Sequence, residues 1–209
     1  VSDRAKRAIG GIYSFAADKL YEPLVVHGAF RVFGGRLNEL VMEQGRRAVS
    51  GARGAPILDL PVGTGYFAVE IARRHEGVVV GVDIAEGMVR ETAGRNVDGL
   101  VAVQGDAHRL PFPDGTFNAV MCTNGLQVMP GLVPSVRELA RVLAPGGRFY
   151  VSVVHAPVGA VFGSETREHL PTVMRPSKDV VAVIESVGLH VTRHERVRLA
   201  TLIEATKPR

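Results

Sequence analysis

Three aspartates and a pair of glycines occupy positions from which they could hold a nucleoside-bearing cofactor. Asp59 precedes Gly63-Thr64-Gly65, and Asp83 and Asp106 each follow a β-branched or apolar run. Glycine admits positive φ and lets a ligand approach main-chain N–H groups closely. A helix that starts directly after such a turn adds unpaired donors and partial positive charge. The two oxygens of an aspartate suit two vicinal hydroxyls. Proton transfer has its own candidates. His155 follows the apolar run Val151-Ser152-Val153-Val154, and imidazole titrates near neutrality, as a general base for a hydroxyl nucleophile must. His27 is a second candidate, and Gln127 has an amide that can orient a substrate but cannot act as a base.

The elements that must position these residues can be read from apolar spacing. Residues 56–60 form a short buried strand, followed by a helix over 65–74. Further strands are expected at 78–82, 100–104, 117–122 and 148–154, with helices at 86–95 and 134–143 between them. Residues 144–147, Ala-Pro-Gly-Gly, read as a helix-stopping turn. A helix over 177–187 and two closely spaced strands, 189–196 and 198–206, end the chain, and the short link makes the last two antiparallel. Residues 1–55 carry two helical segments, near 16–21 and 37–43. Residues 155–176, with three prolines and two glycines in 156–176, read as a mobile connection. The alternation implies an α/β fold, with helices on both faces of a mostly parallel sheet. In such sheets ligands bind at the carboxyl ends of the strands. That brings Pro61 to Gly65, Asp83, Asp106, the 122–127 stretch and His155 to one rim.

Gly63 to Ala68 satisfies G-x-G-x-x-G/A, and Asp83 lies 18 residues past Gly65, which taken alone suggests NAD. Two features oppose it. Asp59, just ahead of the turn, suits a cationic amine better than a pyrophosphate. None of the four tyrosines has a lysine four residues on, as a short-chain dehydrogenase would need.

Several motifs in order carry a more specific resemblance. Asp59 to Gly65 is similar to D-x-G-x-G-x-G, with Pro61 replacing the first glycine. Gly105-Asp106-Ala107, Phe117-Asn118-Ala119-Val120 and Leu143-Ala144-Pro145-Gly146-Gly147 follow at matching spacings. Together they resemble the class I S-adenosylmethionine-dependent methyltransferases, in the small-molecule and quinone branch, over residues 56–154. The resemblance implies a single-domain, Rossmann-like, seven-stranded sheet with an antiparallel C-terminal strand pair and N-terminal helices as a cap. It implies S-adenosylmethionine as cofactor and S-adenosylhomocysteine as product. Asp83 would bind the ribose, Met88 would lie against the adenine, and Asp106 would receive the adenine amino group. Asp59 would neutralise the methionine amine, while N–H groups of the turn approach its carboxylate. Tyr21, Pro61, Gly63, Thr64, Gly65, Ile84, Gly105, Ala107, Thr123 and Asn124 complete the cofactor-facing set. Gln127 stands where relatives often carry histidine.

The expected reaction is methyl transfer to a small-molecule acceptor, O-directed with His155 as base. The alternatives are C- or N-methylation of a metabolite such as a quinone precursor, an NAD-dependent oxidoreductase, or a non-catalytic cofactor-binding protein. The bulk numbers fit. The 209 residues suffice for one core, and at 46% apolar and 22% charged the composition is that of a globular domain. The net charge of +4 is scattered, and there is no tryptophan, so a nucleic-acid platform is not expected. Cys122 is the single cysteine, which rules out an internal disulfide, and no metal is expected. No membrane span or secretory leader is read, so the expected setting is cytoplasmic, and the chain is compatible with a homodimer.

Overall fold

A computed structural model of the chain describes residues 36–127, 129, 131–154, 177–198 and 200–209. Seven strands form one sheet: β1 (Ile57–Asp59), β2 (Val79–Asp83), β3 (Leu100–Gln104), β4 (Phe117–Thr123), β5 (Leu143–Val154), β6 (His190–Val197) and β7 (Ala200–Thr206). Their order is β3-β2-β1-β4-β5-β7-β6. The first five run parallel. β7 is antiparallel to both β5 and β6, so it lies between them as the one reversed strand. The described helices are α1 (Leu37–Ala52), α2 (Tyr66–Ala72), α3 (Glu86–Gly94), α4 (Leu132–Val142) and α5 (Ser177–Ser186).

The central strands are buried on both faces, and successive side chains alternate across the sheet. Ile57, Ala119, Met121 and Tyr150 pack on one side with Ala48 and Ala52 of α1 and Ala68 and Ile71 of α2. Leu58, Val120, Phe149 and Val151 point the other way, against Val136 and Leu139 of α4 and Val180 and Ile184 of α5. Gln44 ties α1 to the sheet, its Nε2 donating to the carbonyls of Val151 and Ile203 at 3.5 and 3.4 Å.

Two expectations change here. The helix expected near 37–43 continues to Ala52 and ends with Arg53 and Gly54 in the left-handed region. A 16-residue helix with a continuous apolar stripe gains more from packing on the sheet than a glycine-rich loop would. The 144–147 turn is instead a wide interruption within β5: Phe117 pairs with Leu143, but Ala119 pairs with Arg148. The intervening backbone is held by the C-terminal segment, with Gly146 N–H donating to Lys207 C=O and Lys207 N–H to Gly147 C=O, at 2.9 and 3.0 Å. The Nζ of Lys207 also donates to the carbonyls of Ala140 and Leu143, closing the end of α4. No single-sequence pattern links residue 207 to that turn. Among the described residues, no helix is long and apolar enough to cross a membrane.

Candidate functional site

The carboxyl ends of the parallel strands share one rim, because β1 pairs with β2 on one side and β4 on the other. Asp59 ends β1, Asp83 ends β2 and Thr123 ends β4, so three chain segments distant in sequence meet there.

The glycine turn is held from several directions. Val62 N–H donates to Val82 C=O at 2.9 Å, Gly63 N–H to Asp83 Oδ2 at 3.0 Å, and Gly65 N–H to Val62 C=O at 3.0 Å. Gly63 and Gly65 take φ of 56° and 79°, where a β-carbon is strained. A β-carbon on Gly63 would meet nothing within 4 Å, so the turn opens there onto free space that a ligand can fill. One on Gly65 would press on the side chain of Thr92 at 3.0 Å. Thr92 of α3 donates its hydroxyl to Gly63 C=O at 2.9 Å, and Arg95 Nε donates to Thr64 C=O at 3.2 Å.

This arrangement alters the expected use of the turn's donors. The N–H groups of Gly63 and Gly65 point inward, to Asp83 and Val62, rather than outward toward a carboxylate. A buried donor must be paired, and here the protein supplies the partners.

Asp83 is 6% exposed; its Oδ2 accepts the Gly63 N–H at 3.0 Å, its Oδ1 the Ala85 N–H at 2.9 Å, and the Ile84 N–H is a further donor to the carboxylate. It does not cap α3 directly, since Ala85 is the cap residue. A carboxylate offers about four lone-pair sites, so acceptor capacity remains for a hydroxyl. Burial pushes the Asp83 carboxyl above the ordinary range, opposed by the N–H groups of Ala85 and Gly63.

Asp59 is 2% exposed, and its Oδ1 has no hydrogen-bond partner. Burial, and secondarily the charge of Asp83, raise its carboxyl to about 7. Two buried carboxylates side by side, one with an orphaned oxygen, form a site that favours a cation. Cys122 lies close enough that burial and the Asp59 charge push its thiol up, which leaves it an inert core residue.

Pro61 keeps the strand exit compact, and Gly125 makes room for it. A β-carbon on Gly125 would sit 2.2 Å from Pro61 Cδ. The proline that replaces a glycine at one strand end is thus matched by a glycine at the neighbouring one. Met88 is fully buried at 1% exposure, while Ile84, Gly105, Asp106 and Ala107 remain partly exposed. Asp106 forms a local turn, its Oδ1 accepting His108 N–H and its carbonyl accepting Arg109 N–H, both at 2.9 Å.

After β4, Asn124 adopts φ of 52°. Its N–H donates to the Ser152 carbonyl at 2.9 Å and to Ser152 Oγ at 3.1 Å, and Ser152 Oγ donates to its Oδ1 at 3.0 Å. Gln127 Nε2 donates to Asn124 C=O at 2.9 Å. Thr123 pairs in register with Ser152 and is half-buried. The remaining sequence candidates Tyr21, His27 and His155, together with the 155–176 loop, lie outside the described residues. His75 is structural, with its Nε2 at 2.9 Å from the Ala55 carbonyl, and His190 and His194 are exposed on the edge strand. No group of three or more metal-ligating side chains occurs among the described residues.

Thr92, Arg95, Gly125, Ser152 and Lys207 escaped the sequence reading. Only Gly125 carried a signal, as a glycine directly after a strand end.

Residues 57–147 match the family model described as methyltransferase domain. The chain is 39% identical to the demethylmenaquinone methyltransferase of Beutenbergia cavernae over 142 residues, covering 66% of this chain and 58% of that protein. It is 35% identical to the enzyme of the same name from Corynebacterium kroppenstedtii over 155 residues, 74% of this chain and 65% of that one. The chain therefore spans less than two thirds of these relatives. In three dimensions it is similar to the [4+2]-cyclase SpnF, with TM-score 0.68 and 20% identity over 80% of each chain. It is also similar to phosphoethanolamine N-methyltransferase 2 of Haemonchus contortus in complex with S-adenosylmethionine, with TM-score 0.66 and 14% identity over 80% of this chain and 53% of that one. Neighbours this distant share the fold, and one of them is a cyclase, so the fold alone does not decide the reaction.

Proposed function

We propose that the chain, whose residues 57–147 match the methyltransferase-domain family model, transfers a methyl group from S-adenosylmethionine to a small acceptor of the quinone-precursor type. The observation that carries the cofactor assignment is the buried Asp59–Asp83 pair beside the open face of Gly63. A nucleoside with vicinal hydroxyls and an ammonium fits it: Asp83 has acceptor capacity left for a hydroxyl, and Asp59 has an unpartnered oxygen for the cation. A pyrophosphate would be repelled by the same two carboxylates.

When bound, S-adenosylmethionine supplies a methyl group already activated by a positive sulfur. The chain's own residues bind, align and exclude water. Asp59, Asp83, Gly63, Thr64, Gly65 and Pro61 would hold the methionine and ribose end. Ile84, Met88, Gly105, Asp106 and Ala107 would flank the adenine. Thr123, Asn124 and Gln127 stand between that site and the acceptor. The quinone-precursor acceptor is supported by the names of the relatives, which are demethylmenaquinone methyltransferases.

O-methylation is the second reading. It rests on His155, which directly follows Val154 at the end of β5, where a base could take a hydroxyl proton. We place the reaction in the cytoplasm, on a small molecule and without nucleic acid; a homodimer is the assembly to test by light scattering.

Calorimetry with S-adenosylmethionine against NAD tests the cofactor, and a chain that binds only NAD would end the proposal. Mass spectrometry and NMR of the product from a demethylmenaquinone-type acceptor then distinguish a new C–CH3 from an O–CH3 group.

A further inference from the structure

Beyond the cofactor site, the loop after β4 carries two side-chain amides, each with one buried atom that lacks a partner. Gln127 is 6% exposed, and its Oε1 is buried with no hydrogen-bond partner. Its orientation is set chemically, because the Asn124 carbonyl at 2.9 Å can only accept. The NH2 must face that carbonyl, which leaves the oxygen as an acceptor without a donor. Asn124 has the complementary feature. Ser152 Oγ donates to its Oδ1, which leaves Nδ2 buried and unpartnered. Ser152 itself is 1% exposed and anchored in β5 opposite Thr123. An orphaned buried acceptor and an orphaned buried donor, three residues apart on the rim that carries Asp59, are costly unless a ligand completes them.

We propose that Gln127 and Asn124, oriented by Ser152, form a donor–acceptor edge that selects methyl acceptors carrying a free hydroxyl. Gln127 Oε1 takes the hydrogen bond from the acceptor's O–H, and Asn124 Nδ2 donates to an oxygen of the same molecule. Ser152 is a positioning residue that acts through Asn124. An ether at the hydroxyl position offers an oxygen to Asn124 and nothing to Gln127, so it leaves the buried Oε1 unpaired. Sites built to hydrogen-bond a substrate hydroxyl reject the analogue lacking it for this reason. The inference rests on the methyltransferase reading and adds the chemical class of the acceptor to it.

The test uses all 209 residues, saturated with S-adenosylhomocysteine, and titrates 1-naphthol and 1-methoxynaphthalene as probes. 1-Naphthol should bind roughly fivefold tighter than the ether, the size of one neutral hydrogen bond. Gln127→Ala should bring that ratio close to one while S-adenosylhomocysteine affinity stays unchanged. Gln127→Met, which keeps the shape and loses the oxygen, serves if the alanine variant does not fold. Ser152→Ala should lower the ratio and Ser152→Thr restore it, whereas a merely structural serine would shift both probes equally. Equal affinities in the wild type overturn the proposal. So does binding of neither probe by a chain that binds S-adenosylhomocysteine, or an unchanged ratio in the Gln127 variants. Failure of S-adenosylhomocysteine to bind the wild type overturns the methyltransferase reading itself, and this inference with it.

Discussion

Replacing Asp59 with asparagine tests the physical account of the site without any acceptor. Its carboxyl is buried, has an oxygen with no partner and is raised to about 7. The unfolded chain returns it to about 4. A group raised on folding contributes stability that is fully present below about pH 4 and is lost as pH rises through about 7. At about pH 5 the folded form keeps a proton that the unfolded form has shed, which stabilises the fold by roughly 2–3 kcal/mol; by about pH 8 almost none of this remains. The asparagine side chain cannot titrate. The stability of wild type minus that of Asp59→Asn should therefore fall by about 2–3 kcal/mol between these two pH values. Subtracting the variant removes the contribution of the titrating groups that do not interact with Asp59, and leaves a smaller term from Asp83, which does. Urea denaturation of the cofactor-free chain at both pH values measures the difference. Cofactor binding supplies a second readout. An ammonium beside Asp59 favours the carboxylate, so binding releases a proton when the pH lies below about 7. Affinity for S-adenosylmethionine should weaken by up to about tenfold per pH unit below that point and level off above it, with a shallower profile in Asp59→Asn. A wild-type-minus-variant difference that does not change with pH would refute the reasoning, because Asp59 would then ionise as an ordinary surface carboxylate.

Asp83→Ala should orphan the N–H groups of Gly63 and Ala85, costing about 1–3 kcal/mol for each in denaturation experiments. It should also raise the Kd for S-adenosylmethionine by at least about tenfold; unchanged affinity by calorimetry removes the ribose assignment. Gly125→Ala should destabilise by about 1–3 kcal/mol, because its β-carbon would overlap the Pro61 ring. Adding Pro61→Gly should recover most of that loss, and a double variant no more stable than Gly125→Ala would mean the two residues are not matched. His155→Ala should lower kcat by about 10²–10⁴ with cofactor affinity near wild type; normal turnover would remove the base on which O-methylation depends.

The strands and the rim they share were largely legible because local signals and long-range packing agree. Val79 to Asp83 is a β-branched run that lies buried between two neighbouring strands, and its last residue reaches the rim where the sequence placed it. Leu100–Gln104 likewise forms the strand that its apolar run predicts. Two features hold more than the local pattern carries. Leu143 to Gly147 ends α4, as Pro145 and Gly146 imply, and Lys207 and the start of β4 also draw its backbone into the sheet. The glycine turn looks like a row of donors for a ligand, yet Asp83 and the Val62 carbonyl consume the N–H groups of Gly63 and Gly65. The capture by Lys207 and the bond to Asp83 join residues far apart in sequence, which no local pattern encodes.

Sequence alone determined the alternating strand–helix plan and the rim that carries Asp59, Asp83 and Asp106, which follow from periodicity. The choice of an amine-bearing nucleoside over a dinucleotide came from the family resemblance, with the charge of Asp59 beside it. Only the tertiary structure decided that Asp59 is buried beside Asp83 and lifted toward neutrality, and that Gly125 accommodates Pro61. It alone turned Ser152 into the support for Asn124. The reason is that desolvation, packing clearance and hydrogen-bond satisfaction are properties of the space between strands, and that space exists only once the sheet has closed around it.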